Sequence, residues 1–213
     1  MNAPREAEVL ELETWRAPDG ELRRAIRHGW HDLEWIGQTD KQDAIRIYAR
    51  QGLHPILLHG VTGSGGCTCM RVDCSAPGKH PVHAGWQRAT LALDELDRAL
   101  ERNWRLNIGL RMGRQPSGVV LVCIDVDGPR ELLAPLEREN GPLPPTLTAR
   151  SGKGMHLIFK MPDGMAPPKN RVRLAPGIDV RAEGGQIVAA PSRHVTGRVY
   201  RWLEVREPAE LPS

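Results

Sequence analysis

Two aspartates one residue apart, Asp125 and Asp127, close the apolar run "SGVVLVCIDVDG" (Ser117–Gly128). Side chains alternate along a strand, so both carboxylates face one side with their Cα atoms roughly 6–7 Å apart. Left bare, the two charges repel and one tends to keep its proton. A divalent cation that prefers oxygen ligands, Mg²⁺ or Mn²⁺, removes that penalty. The same residues also suit a strand that simply ends in an Asp-Gly turn.

Two further segments carry compatible chemistry. In "ARSGKGMHLIFK" a glycine-rich turn with Ser151 and Lys153 precedes a strand whose second residue is His156. Backbone N–H groups, a hydroxyl and an ammonium can all meet phosphate oxygens there, and His156 adds a donor. The order G-x-x-x-x-G-K-[ST] is absent, so this is not a Walker A loop. A glycine hairpin beside an ordinary histidine is the plainer alternative. In "APGIDVRAEGGQIVAAPSRH" a third strand-borne acid, Asp179, has Arg181 two residues on, where a surface ion pair is the plainer alternative. Taken together, two acids, a phosphate-binding turn and a third acid are what two-metal nucleotidyl transfer requires. One cation lowers the pKa of an attacking 3′-hydroxyl and the other neutralises the departing pyrophosphate.

A separate cluster lies in "CTCMRVDCSAPGKH", which supplies Cys67, Cys69, Cys74 and His80 within 14 residues. Three thiolates and an imidazole suit structural zinc, and the loop has few apolar residues that could hold it otherwise. Alternatively, Lys79 and His80 point into a cleft as phosphate contacts and the cysteines are reduced thiols. Cys123 shares the Asp125 face and needs no role beyond that of a small buried hydrophobe.

The elements that must position these groups follow from hydrophobic period and turn residues. Leu22, Ile26, Trp30 and Leu33 predict a helix over Glu21–Ile36, after an irregular stretch 1–19. Asp40 caps a second helix through Arg50. Leu93, Leu96, Leu100 and Trp104 form the stripe of a third over Ala92–Asn103, and a fourth spans Pro129–Glu139. Strands are predicted at Leu53–Gly60, Asn107–Gly113, Val119–Asp127, Met155–Met161, Gly177–Ala182, Gln186–Pro191 and Arg198–Leu203. A few helices among many short strands indicate an α+β fold. The expected organisation is an N-terminal helical extension (1–42), a catalytic domain (43–205) containing a Cys-rich loop (61–85), and a disordered tail or linker start (206–213). Trp15, Trp30 and Trp35 in the extension either pack on the core or stack on a nucleic-acid base.

The chain has 213 residues, 40% of them hydrophobic and 26% charged, as expected of a globular protein with one sizeable domain. No apolar run could span a bilayer, and the acidic N-terminus is not a signal peptide, so a cytoplasmic protein is expected. The net charge of +3 points only weakly to a polyanionic partner. The preference of 24 Arg over 5 Lys suits phosphate contacts, although codon bias is the plainer explanation.

From about Asp43 to Leu203 the order of motifs resembles the bifunctional DNA primase/polymerase N-terminal (Prim-Pol) domain, a branch of the archaeo-eukaryotic primase superfamily. The matching segments are "CTCMRVDCSAPGKHPVHAGWQRAT", "NWRLNIGLRMG", "SGVVLVCIDVDG", "SGKGMHLIF", "PGIDVRAEGGQIVAAPSRH" and "GRVYRW". The resemblance implies an RRM-like sheet facing a smaller α/β unit, with the active site in the cleft between them. It implies Mg²⁺ or Mn²⁺ bound by Asp125, Asp127 and Asp179, and nucleotide phosphates bound around His156. One departure stands out: the superfamily's second motif is Ser-x-His, whereas here Gly154 precedes His156 by two and the serine is Ser151. Arg181, Asn107, Ser192, Arg193, His194 and Lys79 are further candidates to line the same cleft.

The expected function is a DNA-templated nucleotidyltransferase acting on NTP or dNTP with a single-stranded template or primer-template. Such domains commonly accompany a replicative helicase in plasmid, phage or mobile-element replication. The alternatives are a DNA-binding module of the same fold with little synthesis, or a metal-dependent nuclease.

Overall fold

The computed structural model describes residues 12–16, 22–26, 29–37, 39–88, 92–166 and 168–212. Strands β1 (Leu12–Arg16) and β2 (Leu22–Ile26) form an antiparallel hairpin, and a 3₁₀ segment follows at Gly29–Gly37. The helix expected over Glu21–Ile36 is therefore absent. A spacing of four between Leu22 and Ile26 fits a period of two as well as it fits a helix, which is why the pattern misleads. Leu33 and Ile36, three residues apart in the 3₁₀ segment, are fully buried in the main core. The tryptophan at position 15 lies on β1, and its side chain falls outside the described residues. Trp30 packs against the core, while Trp35 is 39% exposed.

Helix α1 (Lys41–Arg50) begins where Asp40 accepts a hydrogen bond from the Asp43 N–H at 2.9 Å, satisfying one of the free donors of the first turn. Its Ala44, Ile45, Ile47 and Tyr48 are buried. Strand β3 (Pro55–Leu58) follows, and then helix α2 (Leu93–Arg102), which buries Leu96 and Leu100. Trp104, placed on that helix's apolar stripe by spacing, lies beyond its end and is 65% exposed.

The remaining chain is mostly strand: β4 (Asn107–Arg111), β5 (Gly113–Arg114), β6 (Val120–Val126), β7 (Leu147–Arg150), β8 (Met155–Lys160), β9 (Arg171–Ala175), β10 (Ile178–Arg181), β11 (Gln186–Val188) and β12 (Arg201–Glu204). A 3₁₀ turn (Arg130–Leu133) leads into helix α3 (Ala134–Asn140). The larger sheet has the order β12-β7-β8-β6-β10-β9, with β5 also pairing β6. The smaller has the order β11-β4-β3, and every pairing among these strands is antiparallel. Strands β7 and β9 were not expected from the sequence. β9 is largely exposed, so it shows no strong apolar signal, and β7 has only four residues.

Strand β6 is apolar up to Asp125 because both of its faces are covered there. Leu121 and Cys123 join Ile158 of β8 in a core shared with α1, α2, β3 and β4. Val126 joins Leu157, Phe159 and Ile178 on the opposite face, beneath Leu133 and Leu136. Asp125 continues the row of Leu121 and Cys123, so one face of β6 passes from apolar core to carboxylate within a few residues. The tail is not disordered through its described length. Leu211 donates from its N–H to the Lys160 carbonyl, and Ala209 accepts from Lys160, along the edge of β8. Among the described residues no helix is long and apolar enough to cross a membrane.

One buried hydroxyl ties α1 to the large sheet. Tyr48 donates to the Ala190 carbonyl at 2.8 Å and accepts from the Trp202 indole N–H at 3.1 Å. Replacing Tyr48 with Phe leaves both partners unsatisfied. The expected loss is about 1–3 kcal/mol of unfolding free energy, read from urea denaturation with the slope unchanged. Stability equal to that of the unsubstituted chain would show that these bonds are not what ties α1 down.

Candidate active site

A cleft of about 400 Å³ opens between the large sheet and strand β11. Asp125, Asp127, His156 and Arg181 line it from the large sheet, and Lys79, Trp86, Gln186 and Tyr200 line it from elsewhere. The antiparallel register decides what meets there. Asp125 lies directly opposite His156 of β8 on one side and Asp179 of β10 on the other. Directly opposed residues share a face and bring their side chains within contact range.

Three strands thus set His156, Asp125 and Asp179 abreast. His156 Nε2 stands 3.4 Å from Asp125 Oδ1. Arg181 reaches between the two acids, with Nε 3.8 Å from Asp125 Oδ2 and Nη2 2.6 Å from Asp179 Oδ2. The other oxygen of Asp179 accepts the Arg173 backbone N–H at 2.7 Å. The guanidinium stands where charge balance calls for a cation, between opposed carboxylates. Asp127 follows the strand, donates its N–H to the Gly177 carbonyl and lines the cleft, whereas Asp179 sits behind Arg181 and does not reach the cleft lining.

The cleft also holds groups left without partners. Burial lowers the basicity of His156, against the raising effect of Asp125, so the ring is held toward its neutral form. His156 Nδ1 and Gln186 Oε1 are buried and make no hydrogen bond within the protein. Unsatisfied buried polar atoms are costly, and these two lie in the wall of the cleft. Burial, reinforced by Asp125 and Asp127, pushes the Tyr200 phenol up, so it stays protonated beside the acids.

The turn before His156 accounts for the missing serine. Ser151 Oγ accepts the Gly154 N–H at 3.0 Å, and the Ser151 N–H donates to the Gly154 carbonyl. A Cβ at Gly154 would lie 2.0 Å from the Val126 carbonyl oxygen and 2.6 Å from the Gly128 nitrogen. No side chain fits there while the turn lies against the end of β6, and the hydroxyl of this turn is that of Ser151, bonded to the Gly154 N–H. Lys153 is exposed and lies outside the cleft lining.

Other predicted site residues are placed differently. Asn107 is fully buried; its amide donates to the Gly78 and Arg193 carbonyls and its oxygen accepts the Arg193 N–H. Ser192, also fully buried, bonds both the N–H and the carbonyl of Ile108. Both brace the loops around the cleft and do not face into it, because their polar atoms satisfy backbone that the sheets leave unpaired. Arg193 and His194 line a neighbouring groove. Cleft residues not anticipated include Trp86, Asn170, Gln186 and Tyr200. Trp86, Gln186 and Tyr200 fall inside quoted motifs, but nothing in their spacing says that those segments close over the acids.

Cys67, Cys69, Cys74 and His80 come together, with their ligand atoms all within 4.8 Å of one another. His80 Nε2 is 3.3 Å from Cys67 Sγ and 3.5 Å from Cys74 Sγ. A tetrahedral zinc with bonds near 2.3 Å needs its sulfurs roughly 3.8 Å apart, so three thiols and an imidazole at these separations fit it. His80 thus turns to the cysteines while its neighbour Lys79 turns to the cleft, where Gln186 bonds the Lys79 carbonyl at 2.8 Å.

The close approach at Gly154 predicts that Gly154→Ala displaces the Ser151–Gly154 turn from β6. A drop of several degrees in Tm, or a nucleotide affinity weakened at least about tenfold, is the expected outcome. An unchanged melting curve together with unchanged affinity would show that the turn has room to spare.

No curated protein matches the chain. A family model described as the bifunctional DNA primase/polymerase, N-terminal domain matches residues 25–213. Such domains act in general as metal-dependent primases or polymerases on DNA and nucleotides. With the match covering nearly its whole length, the chain belongs to the bifunctional DNA primase/polymerase N-terminal family.

Proposed function

We propose that the chain is a DNA-templated nucleotidyltransferase that extends primers, with the cleft between the larger sheet and β11 as its active site. The observation that carries this reading is the register that sets His156 and Asp179 on either side of Asp125. In the reaction a primer 3′-oxygen bonds the α-phosphorus of the incoming nucleotide, and the α–β phosphoanhydride bond breaks to release pyrophosphate.

Asp125, Asp127 and Asp179 would hold Mg²⁺ or Mn²⁺, which supplies charge neutralisation and a more acidic 3′-hydroxyl. The chain's own groups do the rest. His156 lines the cleft with Nε2 3.4 Å from Asp125 Oδ1, and that N–H would turn from the carboxylate to a phosphate oxygen. Lys79 adds positive charge from the opposite wall. Arg181 bridges Asp125 and Asp179 and would swing from the acids to the triphosphate, exchanging one anionic partner for another. Trp86 gives the same cleft a flat apolar wall against which a nucleobase can lie. A nuclease would share the acids, but the cations Lys79 and Arg181 lining the same cleft suit the larger negative charge of a triphosphate better than that of a diester.

Asp125→Ala and Asp127→Ala are each expected to reduce incorporation of labelled nucleotide on a primed single-stranded template by at least ~100-fold, with circular dichroism unchanged. Incorporation at the unsubstituted rate would refute the assignment. His156→Ala removes a charge-assisted contact of about 1.5–3 kcal/mol, so KM for nucleotide rises roughly 10- to 100-fold. An equal loss of DNA affinity with KM unchanged would count against a phosphate role.

For the cysteine loop we propose a structural zinc held by Cys67, Cys69, Cys74 and His80. Metal analysis of the purified chain is expected to find about one equivalent of zinc, lost in Cys69→Ser. Less than about half an equivalent in the unsubstituted chain would rule the site out.

A further inference from the structure

A second groove, of about 480 Å³, lies beside the cleft. Lys41, Arg105, Arg193 and His194 line it, together with Trp104, and among the described residues no carboxylate does. We infer that this groove binds single-stranded DNA, with a base stacked on Trp104 and the strand's phosphates on Arg105 and Arg193.

Trp104 is the first support. The residue is 65% exposed, which leaves much of its ring open to a stacking base. The ring is displayed on a fixed backbone: Lys41 Nζ donates to the Trp104 carbonyl at 3.0 Å and also to the Leu106 carbonyl. The Arg105 N–H donates to Asn103 Oδ1, and the Arg105 guanidinium lies 4.5 Å from the centre of the Trp104 ring. An aromatic face flanked by a cation is how proteins bind single strands without regard to sequence.

Charge is the second support. Burial and the positive charge of Arg193 together lower the Lys41 pKa to about 8. Arg105 and Arg193 line the groove beside Lys41, and a polyanion would meet these cations together.

Position is the third. His194 lines the groove, and its ring packs so tightly on the Ser151–Gly154 turn that a Cβ at Gly152 would meet it at 2.2 Å. The same ring lies 6.2 Å from that of Tyr200, which lines the cleft. Asn107 bonds both the Gly78 carbonyl, next to Lys79, and the Arg193 backbone. One layer of side chains therefore separates groove from cleft, and a strand in the groove leads toward the acids. Calling that strand the template rests on the function proposed above, but its binding does not.

The test uses the full chain and a fluorescein-labelled oligo(dT), read by anisotropy without nucleotide or divalent metal. Stacking of about 1–3 kcal/mol per base predicts that Trp104→Ala weakens binding roughly 5- to 150-fold, with most of the affinity restored by Trp104→Phe. Arg193→Ala should lower the slope of log affinity against log salt by about one. Binding by Trp104→Ala as tight as that of the unsubstituted chain would overturn the inference. So would an equal loss of affinity for a duplex of the same length, which has no free base to stack. The Asp125→Ala chain separates the two proposals: it should bind oligo(dT) normally while incorporating nothing. If the unsubstituted chain incorporates nothing but Trp104 still governs strand affinity, the groove stands and the nucleotidyl transfer reading falls.

Discussion

Like charges are held side by side at the end of β6, and the surrounding structure answers that constraint. Asp125 and Asp179 face each other across adjacent strands, with Asp127 close by. At such separations two carboxylates in a partly buried site repel strongly unless a cation intervenes. Arg181 intervenes in the structure, bonded to Asp179 and close to Asp125.

The rest of the architecture keeps those carboxylates in place. β6 is pinned by apolar packing on both faces, through Leu121 and Cys123 on one and Val126 on the other. Its neighbours β8 and β10 are therefore fixed in register, because a slip of one residue would turn each buried side chain to the wrong face. The smaller sheet and its helices share the Leu121–Cys123 core, and this brings Gln186 and Lys79 over the acids. The Cys-rich loop continues from β3 and returns to it, with Leu58 bridged to Pro81. What holds that loop together thereby also holds Lys79 at the cleft.

Several features could be read from residue order because each rests on local chemistry. Asp40 caps α1 as its side chain and position require. The apolar run of β6 ending in two acids marks a strand entering a polar site. The close spacing of three cysteines and a histidine anticipated a cluster that the fold does bring together. The errors are equally local: Leu22 and Ile26 match two periods at once, and Trp104 matches a helical stripe two residues beyond the helix's end.

By itself the sequence determined which residues could do chemistry, the strands that carry Asp125, His156 and Asp179, and the family to which that order of motifs belongs. Only the tertiary structure decided which of those residues meet. It turned Asn107 and Ser192 inward to satisfy backbone, sent His80 to the cysteines and Lys79 to the cleft, and set Arg181 between the acids. Trp86, Gln186 and Tyr200 joined the site without a sequence signal. The reason is physical: alternation along a strand fixes the face a side chain takes relative to its neighbours, but what lies across that face depends on cross-strand register and on packing between sheets. Those are set by contacts between residues far apart in the chain, which no local pattern encodes.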